Sequence, residues 1–364
     1  MKNRMIAWTA GVITVVISLM ILIVILEPPG EGIARAQAFK AAALLTASKE
    51  QCEARSQENP SHFSVKERGN WFVKYMDYLY DEGYLSQELT PPTLTAAQGL
   101  LTYGEAERIA ERADRSLTAR VGANKHNQDS PYPQDEWWAL YEEMAKVLDP
   151  EGAVREVTAV LYGTPSNLEG AESWTAYTTD GDYGFEGLAL DAYLDCQIRF
   201  LERDGEIAAM TELVSREAVY ENVWIYEGEN GRFRAYLGSR SREFEFDGAE
   251  SLKYNLADLK MKDGKLSEVA VKDERIHGKV LAVTDTYIEL EGLGRMELAP
   301  GFRVYRLYGE FQLLDLKDIL VGYDLQEFAV SDGKLCAALV EREFDAKTIR
   351  VLLMNSDFSS CFHE

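Results

Sequence analysis

The chain has 364 residues, 46% of them hydrophobic and 11% aromatic, enough apolar material for about two or three packed domains and too much for wholesale disorder. Acidic residues outnumber basic ones 61 to 38, a net charge of −23. A duplex-binding protein needs the opposite balance, so nucleic acid is excluded as a partner. Cys52, Cys196, Cys336 and Cys361 are too widely spaced for a disulfide framework.

Met5 to Leu26 is a run of 22 residues without a charge. At a rise of about 1.5 Å per residue it would extend roughly 33 Å, slightly more than a hydrocarbon core. Lys2 and Arg4 lie before it and Glu27-Pro28-Pro29-Gly30 after it. The positive-inside bias then predicts a single-pass anchor with a cytoplasmic N-terminus and an extracytoplasmic bulk. A cleaved signal peptide is the alternative, with Ala34-Arg35-Ala36 as its small-x-small site, but the apolar run is longer than secretory signals use.

Residues 27–60 read as a helical stalk or linker, being rich in Ala, Lys, Arg, Glu and Gln. Residues 61–153 read as a small helical domain. Ser64-Val65-Lys66-Glu67 has the capping-box pattern ahead of Phe72, Tyr75, Met76 and Leu79. A second helix opens at Thr102-Tyr103-Gly104-Glu105, and a third runs from Asp135 to Leu148, stopped by Pro150. Leu101 to Asp114 resembles the start of an S-layer homology repeat, and a capped helix with an ordinary core face accounts for it equally well.

From residue 154 to 345 the apolar period shifts from 3.6 towards 2, predicting an antiparallel β-rich module, a small barrel or sandwich. Asp204-Gly205, Asn230-Gly231, Asp263-Gly264 and Asp332-Gly333 each sit between runs of β-formers, the strongest short-range hairpin signal. Ile276–Val283, Tyr287–Leu290, Arg295–Leu298 and Phe302–Leu307 read as short strands. The fold class predicted is therefore α+β, with an N-terminal transmembrane helix ahead of the helical and β-rich parts.

Chemistry is sparse. The sequence has no phosphate-binding loop, nucleophile elbow, dinucleotide fingerprint or zincin motif, and its four histidines stand singly. Asp180-Gly181-Asp182 is the most cation-like cluster, yet the remaining EF-hand ligands are missing and a polar turn accounts for it better. Glu142-Glu143 are neighbours on a helix and point apart. No catalytic, cofactor or metal residues are predicted. Trp71, Trp137, Trp138 and Tyr141 are the candidates for stacking on glycan rings, against a core role that large aromatics at helical spacing more often fill.

At the C-terminal end, Ile349-Arg350-Val351-Leu352-Leu353, followed by Phe358-Ser359-Ser360 and His363-Glu364, resembles the opening strand and turn of the stage II sporulation protein D / LytB domain. Ile276-His277-Gly278-Lys279-Val280-Leu281, Ile288-Glu289-Leu290-Glu291-Gly292, Val321-Gly322-Tyr323-Asp324 and Cys336-Ala337-Ala338 are similar to the accessory region of membrane-anchored clostridial members. The resemblance implies peptidoglycan remodelling, by lytic transglycosylation or by enhancing an amidase. The family's catalytic glutamate lies beyond the opening strand and has no counterpart here. The expectation is therefore a non-catalytic accessory part, with residues 346–364 the first strand of a truncated or split domain. Its expected partners are the membrane, peptidoglycan or a cell-wall hydrolase. A wall-glycan-binding module and an unrecognised wall enzyme are the alternatives.

Overall fold

The computed structural model describes residues 32–306, 312–322 and 326–340. Helices come first: α1 (Arg35–Thr46), α2 (Lys49–Glu58), α3 (Val73–Asp81), one-turn α4 (Leu94–Ala97), α5 (Tyr103–Ala113), one-turn α6 (Thr118–Val121) and α7 (Gln134–Leu148). Strands β1 (Arg155–Gly163), β2 (Thr175–Thr178), β3 (Asp182–Gly184), β4 (Cys196–Arg203) and β5 (Glu206–Ser215) close a small barrel in the order β1-β2-β3-β5-β4.

Five more strands, β6 (Glu217–Glu229), β7 (Arg232–Tyr236), β8 (Ser241–Glu245), β9 (Asn255–Lys262) and β10 (Lys265–Lys272), form a sheet in the order β10-β9-β6-β7-β8. The last group is β11 (Arg275–Gly278), β12 (Val280–Val283), β13 (Tyr287–Leu290), β14 (Gly294–Arg306), β15 (Gln312–Leu314), β16 (Gln326–Ser331) and β17 (Lys334–Val340). Its order is β11-β16-β17-β14-β13-β12, with β15 paired to β14.

By density of contacts the chain divides into two units. The helical unit runs to Glu156 and takes in two later segments, Phe185–Ala189 and Phe200–Met210. Its core holds Phe39, Leu44, Tyr75, Met76, Ile109, Trp137 and Met144, together with Ala208 from β5. The β unit comprises Val157–Gly184, Leu190–Arg199 and the chain from Thr211 onward. Its largest core cluster joins Tyr162, Tyr220, Ile225, Phe233 and Leu259.

Two expectations need correction. The described residues hold no transmembrane helix: none of their helices is long and apolar enough to cross a membrane. The longest of them, α7, has 15 residues and carries Glu136, Glu142, Glu143 and Lys146. At about 22 Å it falls short of a hydrocarbon core of about 30 Å. Met5–Leu26 and residues 346–364, where the first strand of a further domain was expected, lie outside the described residues. Nor is Arg35–Thr46 a stalk. It is buried nearly all round, from Ala36 and Ala38 to Leu45, and forms the centre of the helical unit. Its alanines let neighbouring backbones approach closely, and a helix apolar on every face belongs inside a core.

Candidate functional site

The aromatic positions singled out by sequence are drawn mostly into packing. Trp137 and Tyr141 are buried in the core of the helical unit. Trp138 is partly buried, edge-on to Tyr141 at a centroid distance of 5.5 Å. Trp71 lies edge-on to Phe72 at 5.7 Å and to Tyr75 at 6.4 Å, and its indole fills the space over Gly187. A Cβ at Gly187 would stand 2.2 Å from that ring. Neither Trp137 nor Tyr141 presents a ring face for a sugar to stack on.

Asp180-Gly181-Asp182 forms the turn between β2 and β3. Thr178 Oγ1 accepts from the amides of Asp180 and Gly181, Asp180 accepts from the Tyr183 hydroxyl, and Asp182 accepts from Ser239 Oγ at 2.7 Å. The carboxylates are thus committed to turn and side-chain bonds. Among the described residues no group of three or more His, Cys, Asp or Glu is placed to hold a metal. The described histidines stand apart, as in the sequence. His62 bonds Asp81 at 3.0 Å and Gln87 at 2.9 Å, His126 stacks on Tyr103 at 4.4 Å, and His277 lies on β11.

Sequence reasoning missed the densest charged cluster. In the helical unit, Lys40 of α1 is fully buried and ion-paired with buried Glu206 at the start of β5. It also donates to the Glu186 carbonyl at 2.8 Å. Lys49 bonds Glu206 at 3.2 Å, and Lys74 reaches Glu186 and Glu53, each at 2.7 Å. The Tyr75 hydroxyl donates to Glu186 at 3.4 Å, and the ammonium of Lys40 lies 5.8 Å from the centroid of the Tyr75 ring.

Burial pulls the Lys40 ammonium down to about 8, against the opposing pull of Glu206 and Glu186. Burial, then the charges of Glu206 and Glu186, pushes the Tyr75 phenol far above its ordinary range. Burial disfavours the Glu186 anion, but the bond from Lys74 and the charges of Lys74, Lys49 and Lys40 outweigh it and hold the carboxyl below its usual value. Every charge is answered from inside the unit. The cluster fastens the returning segments around Glu186 and Glu206 to α1, α2 and α3. A lysine separated by 166 residues from its partner leaves no local pattern, and only the rarity of a lysine in an alanine-leucine helix hinted at it.

The β unit carries an open cleft of about 680 Å³. Its walls come from β1 (Thr158, Ala159, Val160), the β2–β3 turn (Thr179, Asp180), Gln197 of β4, β6 (Glu217, Ala218, Val219, Glu221), β14 (Gly301, Phe302, Arg303) and β15 (Leu313, Leu314). Several polar groups already have partners: Thr179 Oγ1 accepts from the Val160 amide, Glu217 pairs with Lys262 at 2.9 Å, and Arg303 donates to the Leu237 carbonyl at 2.7 Å. The volume lies within the about 300–1,000 Å³ range of ligand sites, but the lining is that of a polar groove and not of an enclosed apolar pocket. Sequence alone offered no sign of it, because its residues come from seven separate stretches, Gly238 among them.

No protein-family model matches the chain, and no curated protein is similar to it beyond chance.

Proposed function

We propose that this chain is a non-catalytic accessory part of a peptidoglycan-remodelling protein, acting outside the cytoplasm by positioning other components at the wall. One observation carries the reading. Three of the four segments that resemble the accessory region of sporulation protein D / LytB proteins fall within one module, the fourth, Val321–Asp324, lying only partly within the described residues. Ile276–Leu281 supplies β11 and the start of β12, Ile288–Leu290 lies in β13, and Cys336–Ala338 lies in β17. All belong to the seven-stranded sheet, and Val280, Ile288 and Ala338 share one core cluster. Segments assembled into one folded body are a coherent basis for a resemblance, where scattered ones would not be.

The chemistry agrees in kind. The buried ion pairs of the helical unit are internal fastenings, and the groove of the β unit is open and polar, suited to contact more than to bond cleavage. The test is the muropeptide profile of the producing organism with and without the chain. A changed ratio of cross-linked to uncross-linked muropeptides in the deletion strain is expected. An identical profile under growth and sporulation conditions alike would overturn the proposal.

A further inference from the structure

The outward face of the five-stranded sheet joins aromatic rings to a polar hollow. Phe233 and Ala235 of β7 and Phe244 of β8 point into the core. Side chains alternate along a strand, so Arg232, Arg234 and Tyr236, with Ser241, Glu243 and Glu245 opposite them, share the outer face. β6 adds two neighbours to it. The Tyr226 ring lies against Tyr236 at 4.7 Å and its hydroxyl donates to Ser241 Oγ at 3.2 Å, while Glu227 stands 3.7 Å from Arg234. Adjacent residues of a regular strand face apart. Here the register against β7 slips between Ile225 and Glu227, and the bulge brings both side chains to one face.

A third tyrosine follows. The Tyr254 amide donates to the Ile225 carbonyl at 2.7 Å, so its backbone sits beside that of Tyr226. Tyr254 is 63% exposed, with the Lys253 ammonium 5.0 Å from its ring centroid and a left-handed backbone at φ +61°. A bulky aromatic is a poor fit to that backbone, and strain of this kind collects at binding sites. Continuous with the tyrosine pair through Glu227 and Arg234 is an open hollow of about 320 Å³, lined also by Glu229, Arg232 and Glu243.

Part of the polar lining serves the sheet, since Arg232 pairs across strands with Glu243 and Glu245, each at 3.0 Å. The contacts of Arg234 with Glu227 and Glu243, at 3.7 Å each, are too long for hydrogen bonds and leave these carboxylates acceptor capacity. A charged polymer meets both signs on such a surface. Sugar hydroxyls suit it, because they donate to carboxylates and accept from guanidinium groups, and the C–H face of a pyranose stacks on a tyrosine ring.

We propose that this face binds a glycan strand, whose rings stack on Tyr226, Tyr236 and Tyr254 and whose hydroxyls bond Glu227 and Arg234. The glycan surface follows from its own chemistry; the choice of an N-acetylhexosamine polymer rests on the wall-remodelling reading.

The test titrates the full chain by calorimetry with tetra-N-acetylchitotetraose and with cellotetraose, which lacks acetamido groups. Saturable binding of the first is expected. Tyr236→Ala and Tyr254→Asn should each weaken it at least about tenfold, as for bases stacked on aromatics. Asn tolerates a left-handed backbone and Tyr254 is exposed, so Tyr254→Asn should keep the urea midpoint of the wild type. Full affinity in both variants, or no binding of either sugar, would overturn the glycan surface and leave the accessory role to the muropeptide profile. Cellotetraose binding without chitotetraose binding would support the surface and overturn its assignment to wall glycan.

Discussion

At the scale of single residues, the ion pair of Lys40 and Glu206 dominates the helical unit, and its worth lies in what happens when half of it is removed. Lys40→Met leaves Glu206 buried with Lys49 and the Glu186 amide as its remaining described partners, and a cost of about 3–5 kcal/mol is expected in urea unfolding. Adding Glu206→Gln should recover part of that loss, with a coupling of about 1–3 kcal/mol. Additive effects would contradict a direct pairing.

The pH dependence follows from burial. Lys40 is held near 8 in the fold against 10.5 in a free chain. Between those values the unfolded chain holds a proton that the folded chain has shed, so stability rises with pH in that window. Above pH 10 the raised phenol of Tyr75 acts oppositely, because the unfolded chain ionises first. From pH 8 to 10, therefore, the wild type should gain stability relative to Lys40→Met; a flat difference would contradict the depressed ammonium.

Two buried tyrosines make a second contrast. The Tyr220 hydroxyl donates to Asp195 at 2.6 Å, beside the bidentate contact of Arg242. The buried Tyr141 hydroxyl has no protein partner. Tyr220→Phe should cost about 1–3 kcal/mol, whereas Tyr141→Phe should be neutral or stabilising, because it removes a desolvated hydroxyl that bonds nothing. The reverse order of unfolding midpoints would show that these hydroxyl environments are wrong.

At the scale of elements, Asn222 shows how a bulge holds two sheets together within the β unit. It stands at φ +54° where the register of β6 against β9 slips between Tyr220 and Val223. Its side-chain amide donates to the carbonyl of Gly301 at 2.9 Å and of Pro300 at 3.3 Å, while its carbonyl accepts from Lys272 at 2.6 Å. The Tyr305 hydroxyl donates to its backbone carbonyl at 2.6 Å. Asn222→Ala loses these side-chain bonds and keeps the left-handed backbone, which disfavours a Cβ by about 1 kcal/mol. Asn222→Gly loses the same bonds without that cost. Thermal unfolding should therefore rank wild type above Gly and Gly above Ala, and Ala above Gly would contradict a left-handed site.

Elements set by local chemistry were the legible ones. Thr102 and Glu105 cap α5 reciprocally as their spacing predicts, and α7 ends at Leu148 ahead of Pro150. The four Asx-Gly pairs at 204–205, 230–231, 263–264 and 332–333 have positive φ at both residues, and each sits between consecutive strands. The pattern at Ser64 misled. Its side chain bonds Glu67 at 2.5 Å, but Glu67 also accepts from the Leu94 amide at 2.9 Å, a tertiary contact, and the helix begins only at Val73. Arg295–Leu298 and Phe302–Leu307 read as two strands, yet their described residues run together in β14, because β13 and β17 support successive parts of it. The groove and the lysine cluster were illegible, since each joins residues distant in sequence that only packing brings together.

At the scale of the whole molecule, the three described cysteines report on opening of the fold. Cys52, Cys196 and Cys336 are buried and free, and burial pushes the Cys52 thiol up to about 12. Thiolate is the reactive form, so a disulfide-exchange reagent at pH 8 should modify these three only as fast as the fold opens. Prompt reaction of more than one thiol in the native chain would contradict that burial, Cys361 being outside the described residues.

The most direct test of a non-catalytic role is digestion of purified sacculi by the purified full chain, with soluble products separated and identified by mass spectrometry. The account predicts neither anhydro-muropeptides nor free stem peptides above the buffer control at any protein concentration. Release of either product in proportion to added protein would contradict it.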